Sequence, residues 1–158
     1  MQARQSRGRP EGGQFVAQAH SDGEVILDAL DRFFDDYLSN RDEYVALSHR
    51  LHLEHPSEIG RTRIVFLLDE TVLKIPLTDE GLYANALEAD HSRREGKTGS
   101  IPIADCAIDW HGDLSVLRME RVDITPSLDG SPKPAWTGAV DCGQVGYDRE
   151  GRLVAFDL

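Results

Sequence analysis

The stretch Thr62-Arg-Ile-Val-Phe-Leu-Leu-Asp-Glu-Thr-Val-Leu-Lys-Ile-Pro76 constrains this chain more than any other. Thr62–Leu68 is rich in β-branched and aromatic residues, Asp69-Glu70 supplies a turn, and Thr71–Ile75 follows as a second strand ended by Pro76. The pattern predicts a β-hairpin, and therefore a chain that must build a sheet and cover it. Alternation along the second strand places Val72 and Lys74 on one face and Leu73 and Ile75 on the other. A lysine on an apolar strand face is costly to bury unless its ammonium finds a partner. Glu88, 14 residues on, lies in the middle of the next predicted helix, on the side of Ala84 and Leu87 to within a turn. A helix packed on the sheet could aim it at Lys74; the alternative is that both side chains reach solvent.

The flanking segments predict the rest of an antiparallel α+β domain. Ahead of the hairpin, Ile26, Leu30, Phe33, Phe34 and Tyr37 recur with helical spacing, predicting a helix from Asp22 to about Asn40 with Ser21 or Asp22 as its cap and Asp28, Asp31, Asp35 and Asp36 as its solvated face. A second helix from Asp42 to about Leu53, with Tyr44, Val45, Leu47 and Leu51 as its apolar set, stops before Pro56. Together they predict a helical hairpin packed on the sheet. After it, Leu82 to about Arg94 reads as a crossing helix closed by Gly96 and Gly99. Strands are predicted at Ile101–Trp110 and Leu114–Val122 around the turn His111-Gly112-Asp113, and a final hairpin pairs Gln144–Tyr147 with Leu153–Phe156. The expected organisation is a flexible basic arm over 1–20 and one domain over 21–158, divided into the helical hairpin (21–56), a central unit (57–122) and a linker with the terminal hairpin (123–158).

Charge narrows the function classes. The chain carries 17 Lys plus Arg against 28 Asp plus Glu, a formal net charge of −11 over 158 residues. Arg4, Arg7 and Arg9 against Glu11 leave the first 20 residues at +2, so residues 21–158 carry −13. Direct binding to nucleic acid, which draws its affinity from clustered Lys and Arg, is disfavoured. The longest apolar run, Ile64–Leu68, is strand-sized, so no membrane span is expected. Two isolated cysteines, Cys106 and Cys142, and the lack of a secretory leader predict a cytoplasmic protein with free thiols. His49, His52 and His55 drift around a helix rather than sharing one face, which predicts a solvated helix end rather than a metal site.

The hairpin Arg63–Pro76, the helix carrying Glu88, the strands ending Leu117-Arg-Met-Glu-Arg-Val122 and the tail Gln144-Val-Gly-Tyr-Asp-Arg-Glu-Gly-Arg-Leu-Val-Ala-Phe-Asp157 together resemble a minimal protein-kinase-like fold. More narrowly, Gly81, Asn85 and Glu88 after Lys74 make the chain similar to small kinase-like proteins of phages and prophages. Arg4–Phe15 resembles an amino-terminal tag of small actinobacterial and phage proteins. Over residues 57–157 the resemblance implies a kinase N-lobe-like sheet, with Lys74 on the nucleotide phosphates and Glu88 as its helix partner. It implies that Gly60 and Val72 line the nucleotide site and that Met119-Glu120-Arg121-Val122 leads to the adenine-binding hinge. Asp157 would be a magnesium ligand and Gln144 would stand where the family has its second metal-binding Asn. ATP and Mg2+ are the ligands so implied.

The departures from the family point to a degenerate module. Gly60 is alone where a Gly-rich loop is needed, Ala139 stands at the position of the catalytic Asp, and Asp141 is the nearest candidate base. Gln144 lengthens a metal ligand by one methylene, and the chain ends one residue after Asp157, which implies no activation segment and no helical lobe. The expected function is a pseudokinase-like module that binds a host or phage protein, with residual nucleotide binding. Two alternatives stand beside it: a small active phosphotransferase using Lys74, Asp141 and Asp157, and an acidic inhibitor or nucleic-acid mimic that covers a basic host protein.

Overall fold

Antiparallel pairing dominates the architecture. A computed structural model of the chain describes residues 30–124, 130, 132–140 and 143–158. The order of elements is α1 (Arg41–Glu54), β1 (Ser57–Ile59), β2 (Arg63–Leu67), β3 (Thr71–Pro76), α2 (Asp79–Arg94), β4 (Cys106–His111), β5 (Leu114–Glu120), β6 (Val145–Tyr147) and β7 (Leu153–Ala155), with short 3-10 turns at Gly96–Thr98 and Ala135–Ala139. Five strands form one antiparallel sheet in the order β1-β2-β3-β5-β4, and β6 and β7 form a separate two-stranded sheet. The α+β class expected from the sequence is therefore present.

The sheet is apolar on both faces, and each face has its own cover. Ile64, Phe66, Leu73, Ile75 and Val116 point to one side, where Leu30, Phe34, Leu38, Tyr44 and Leu47 pack on them. Val72, Leu117 and Met119 point to the other side and meet Ile103, Ala104, Val154 and Phe156. The two-residue period of the hairpin thus sorts the core, with Lys74 on the second face among the residues of the terminal hairpin.

Several boundaries differ from the sequence reading. The predicted first helix does not run to Asn40: its early residues lie outside those described, helix ends at Asp31, and residues 32–40 form turns. Tyr37 is 84% exposed rather than part of an apolar stripe. The Tyr37 N–H donates to Asp35 Oδ1 at 2.8 Å, and the Asp35 N–H reaches the Leu77 carbonyl. These local side-chain and long-range backbone bonds satisfy groups that a continued helix would have used. α2 begins at Asp79, three residues before Leu82, because Thr78 caps it through the Gly81 N–H at 3.1 Å. β4 begins at Cys106 rather than Ile101. Ahead of it, Ile103 makes only an isolated parallel bridge to Ala155, and Pro102, which has no N–H, contributes its carbonyl to Ala155. The segment Ser57–Ile59, just before Gly60, is an edge strand paired with Ile64–Phe66.

Candidate functional site

A row of paired residues sets the site. Val65 of β2 pairs with Lys74 of β3, and Arg63, two residues before Val65, shares that face. α2 crosses this side of the sheet. Its three buried residues, Gly81, Asn85 and Glu88, recur at i, i+4 and i+7 and so form one stripe. Gly81 makes the crossing possible, since a Cβ there would stand 2.0 Å from the Thr62 carbonyl oxygen. That close approach of helix backbone to β2 puts the polar side chains of the next two turns over Arg63 and Lys74. The expectation that Leu87 accompanies Glu88 inward is not met: Leu87 is 50% exposed and the inward stripe is polar. The hydrophobic spacing misleads here because the most buried stripe of the helix faces charges, while Leu82 and Ala89 only flank it against the core.

Glu88 is the centre of the arrangement. Its Oε2 accepts from Lys74 Nζ at 2.8 Å and its Oε1 from Arg63 Nη1 at 2.7 Å. Asn85 ties the same residues, donating from Nδ2 to the Lys74 carbonyl at 3.0 Å and accepting from Arg63 at 3.3 Å. Asp157 closes the group from the opposite side: its Oδ1 accepts from Arg63 Nη2 and lies 3.7 Å from Lys74 Nζ. Lys74 also donates to the carbonyl of Phe156. Two cations and two carboxylates thus meet with no net charge. All but Asp157 are nearly inaccessible, the Glu88 side chain being 1% exposed and that of Asp157 30%.

The two carboxylates respond differently. Burial pushes Glu88 above the usual carboxylate range, against the pull of Lys74 and Arg63. Burial also works to raise Asp157, but Lys74 and Arg63 outweigh it and hold the group below its ordinary value. Cys106, whose Sγ lies 3.5 Å from the Glu88 carbonyl, is a free thiol, and burial pushes it up to about 12, so it is not a poised nucleophile.

Two cavities open on either side of Lys74 and Phe156. One, about 500 Å³, is lined by Leu67, Val72, Met119, Val122, Ile124 and Phe156 together with charged residues that include Lys74, Glu120 and Arg121. The other, about 710 Å³, is polar and reaches Gly60, Arg61, Arg63, Gln144 and Asp157. The residues expected from the sequence therefore fall into three groups. Lys74, Glu88 and Asp157 come together; Val72 lines the first cavity and Gly60 and Gln144 the second. Glu120 borders the first cavity, but its carboxylate is taken by Lys97 at 2.7 Å and by the Asp105 N–H at 2.8 Å. Asp141 lies outside the described residues. Arg63 is a site residue that the sequence reading does not name; alternation along β2 puts it on the face of Val65, and the pairing of Val65 with Lys74 makes that the face of the lysine.

A second charged cluster lies at the C-terminal end of β5. Lys97 Nζ is within 2.7–3.4 Å of Glu120, Asp148, Asp105 and Glu150, and Arg152 pairs with Asp148 and Glu150. Here burial, which lowers a lysine, is outweighed by Glu120, Asp148 and Asp105, and Lys97 sits above the usual lysine range. For Asp148, whose side chain is inaccessible, burial is outweighed by the Arg152 N–H and by Lys97, leaving it well below the usual range. This cluster fastens the turn of the β6–β7 hairpin to β5. Gly146 supports the same junction, since a Cβ there would come 2.8 Å from Val122 Cγ2.

A divalent cation at Asp157 would need a free carboxylate and further oxygen ligands. Oδ1 of Asp157 is instead engaged by Arg63 and Lys74, and no group of three His, Cys, Asp or Glu that could hold a metal occurs among the described residues. The residues present do not fit a magnesium ion at this position. No described helix is long and apolar enough to cross a membrane. Comparison with protein-family models, curated proteins and solved structures finds no match to this chain.

Proposed function

We propose that the chain is a degenerate kinase-like module that acts by binding a protein partner of host or phage origin and retains a cavity for the base of a nucleotide. The observation that carries this reading is the neutral cluster of Arg63, Lys74, Glu88 and Asp157 between two cavities. A lysine held by a helix glutamate beside a partly apolar cavity of about 500 Å³ is what the sequence resemblance implies for nucleotide binding. Pockets of roughly 300–1,000 Å³ are the usual size for such ligands. The catalytic apparatus is weakened at the same place. Phosphoryl transfer depends on positioning the phosphates and neutralising their charge, and the Asp157 carboxylate that would help hold a metal is engaged by Arg63 instead.

The reading is tested by titrating purified protein with nucleosides and nucleotides and by incubating it with γ-labelled ATP. Saturable binding that is lost on filling the cavity with Val72→Phe is expected, together with no transfer of label to protein or small-molecule acceptors. Steady transfer would overturn the degenerate assignment. Absence of any binding would remove the nucleotide part and leave only the partner-binding part.

A further inference from the structure

We infer that the site takes an uncharged heteroaromatic ligand of the purine-nucleoside class and gains no affinity from a metal-bound polyphosphate, because Arg63 and Lys74 are held by Glu88 and Asp157. This inference rests on the nucleotide reading above and sharpens it.

Three observations carry it. First, Arg63 Nη2 sits on Asp157, the carboxylate that a divalent cation would require, and a guanidinium fixed there by Glu88 and Asn85 as well is a built-in counter-ion. A metal bound through Asp157 Oδ1 would have to displace it and leave a buried arginine partly unpaired. Second, the lining has no positive surplus for phosphates. Around the second cavity Arg61, Arg63 and Lys74 face Glu58, Glu80 and Asp157. Around the first, Lys74, Arg121 and Arg149 face Asp69, Glu70, Glu120 and Asp123. Of the second cavity's three cations, two belong to the neutral cluster and only Arg61 has no ion-pair partner among the described residues. A polyphosphate carrying three or four negative charges would therefore meet a neutral or acidic wall. Third, the first cavity keeps what a planar, uncharged ring system needs. Its apolar lining comes from β2, β3, β5, Val122, Ile124 and Phe156, and the N–H of Val122 makes no hydrogen bond to any described residue.

The test is calorimetric titration of the full chain with adenosine, AMP and ATP, each in EDTA and in excess Mg2+. Adenosine is expected to bind with an affinity equal to or above that of ATP, and Mg2+ is expected to leave the ATP affinity unchanged to within about threefold. ATP binding more than about threefold tighter than adenosine, or a gain of more than about threefold on adding Mg2+, overturns the inference while leaving the nucleotide reading intact. No binding by any of the three overturns both. Arg63→Gln supplies an independent arm: with the guanidinium gone, Asp157 is freed and ATP affinity should become Mg2+-dependent. Circular dichroism reports whether that variant folds, and the wild-type series decides the matter without it.

Discussion

The two charged clusters of this protein are built from the same kinds of side chain and do different work. Around Glu88, two cations meet two carboxylates inside the fold, and the charges cancel. Around Lys97, two cations, counting Arg152, meet four carboxylates at the edge of the molecule, where Asp105 and Glu150 remain largely exposed. The first cluster is balanced because it is shut away from water, where any unpaired charge would be expensive. The second tolerates an acidic surplus because solvent screens its outer members. The difference locates where the acidity of the chain has structural consequences and where it is only surface charge.

The sharpest way to break the contrast is Glu88→Ala, which strands Arg63 and Lys74 without their shared carboxylate. A loss of roughly 3–5 kcal/mol is expected in urea unfolding. A loss under about 1 kcal/mol would show that water reaches the cluster and that it resembles the outer one. Gly81→Ala comes next, since its new methyl group collides with the Thr62 carbonyl and must lift α2 from β2. About 1–3 kcal/mol is expected, with broadened NMR signals of Asn85 and Glu88 as the sign that the helix has shifted. Unchanged stability would mean that the helix approach is not set by this contact.

Lys97→Met should cost less, about 1–3 kcal/mol, because Arg152 and backbone donors still serve Asp148. Its cost should shrink with added salt, whereas that of Glu88→Ala should not; equal salt dependence would erase the distinction between the clusters. Arg149→Ala, which removes a surface pair with Glu70, should change stability by no more than about 0.5 kcal/mol.

The smallest effect is the most diagnostic of burial. In a carboxyl NMR titration Glu88 should take up its proton above the ordinary carboxylate range and Asp157 below it. The signs for stability are opposite. The Asp157 contribution is present above its unfolded pKa of about 3.9 and is lost as pH falls through its lower folded value. The Glu88 contribution is fully present below its unfolded pKa of about 4.3 and is lost as pH rises through its raised folded value. Titration of both groups at ordinary values would mean that the cluster is open.

Much of this arrangement was legible before folding is considered, and the reasons can be named. Lys74 stands out because a charged residue interrupts an alternating apolar strand, and such an interruption demands a partner. Glu88 is the acid within reach on the following helix. Asn85 and Gly81 are visible only as part of a likeness, since nothing in their types says that one bonds a strand carbonyl and the other admits a backbone. Tyr37 misled because helical spacing cannot tell a helix from a set of turns whose every fourth residue is inward, as Leu30, Phe34 and Leu38 are. Leu87 misled because periodicity assumes an apolar face inward, and this helix turns polar groups inward instead.

What the chain by itself determined is therefore the hairpin, its two faces, the antiparallel class and the need of Lys74 for a counter-charge, all of which follow from local period and the cost of burying a charge. What only the tertiary structure decided is the identity of the full cluster. Arg63 and Asp157 are 94 residues apart and their meeting depends on the terminal hairpin closing under the sheet. Long-range charge pairing has no local pattern, because the partner is selected by the packing of elements that the sequence lists far apart.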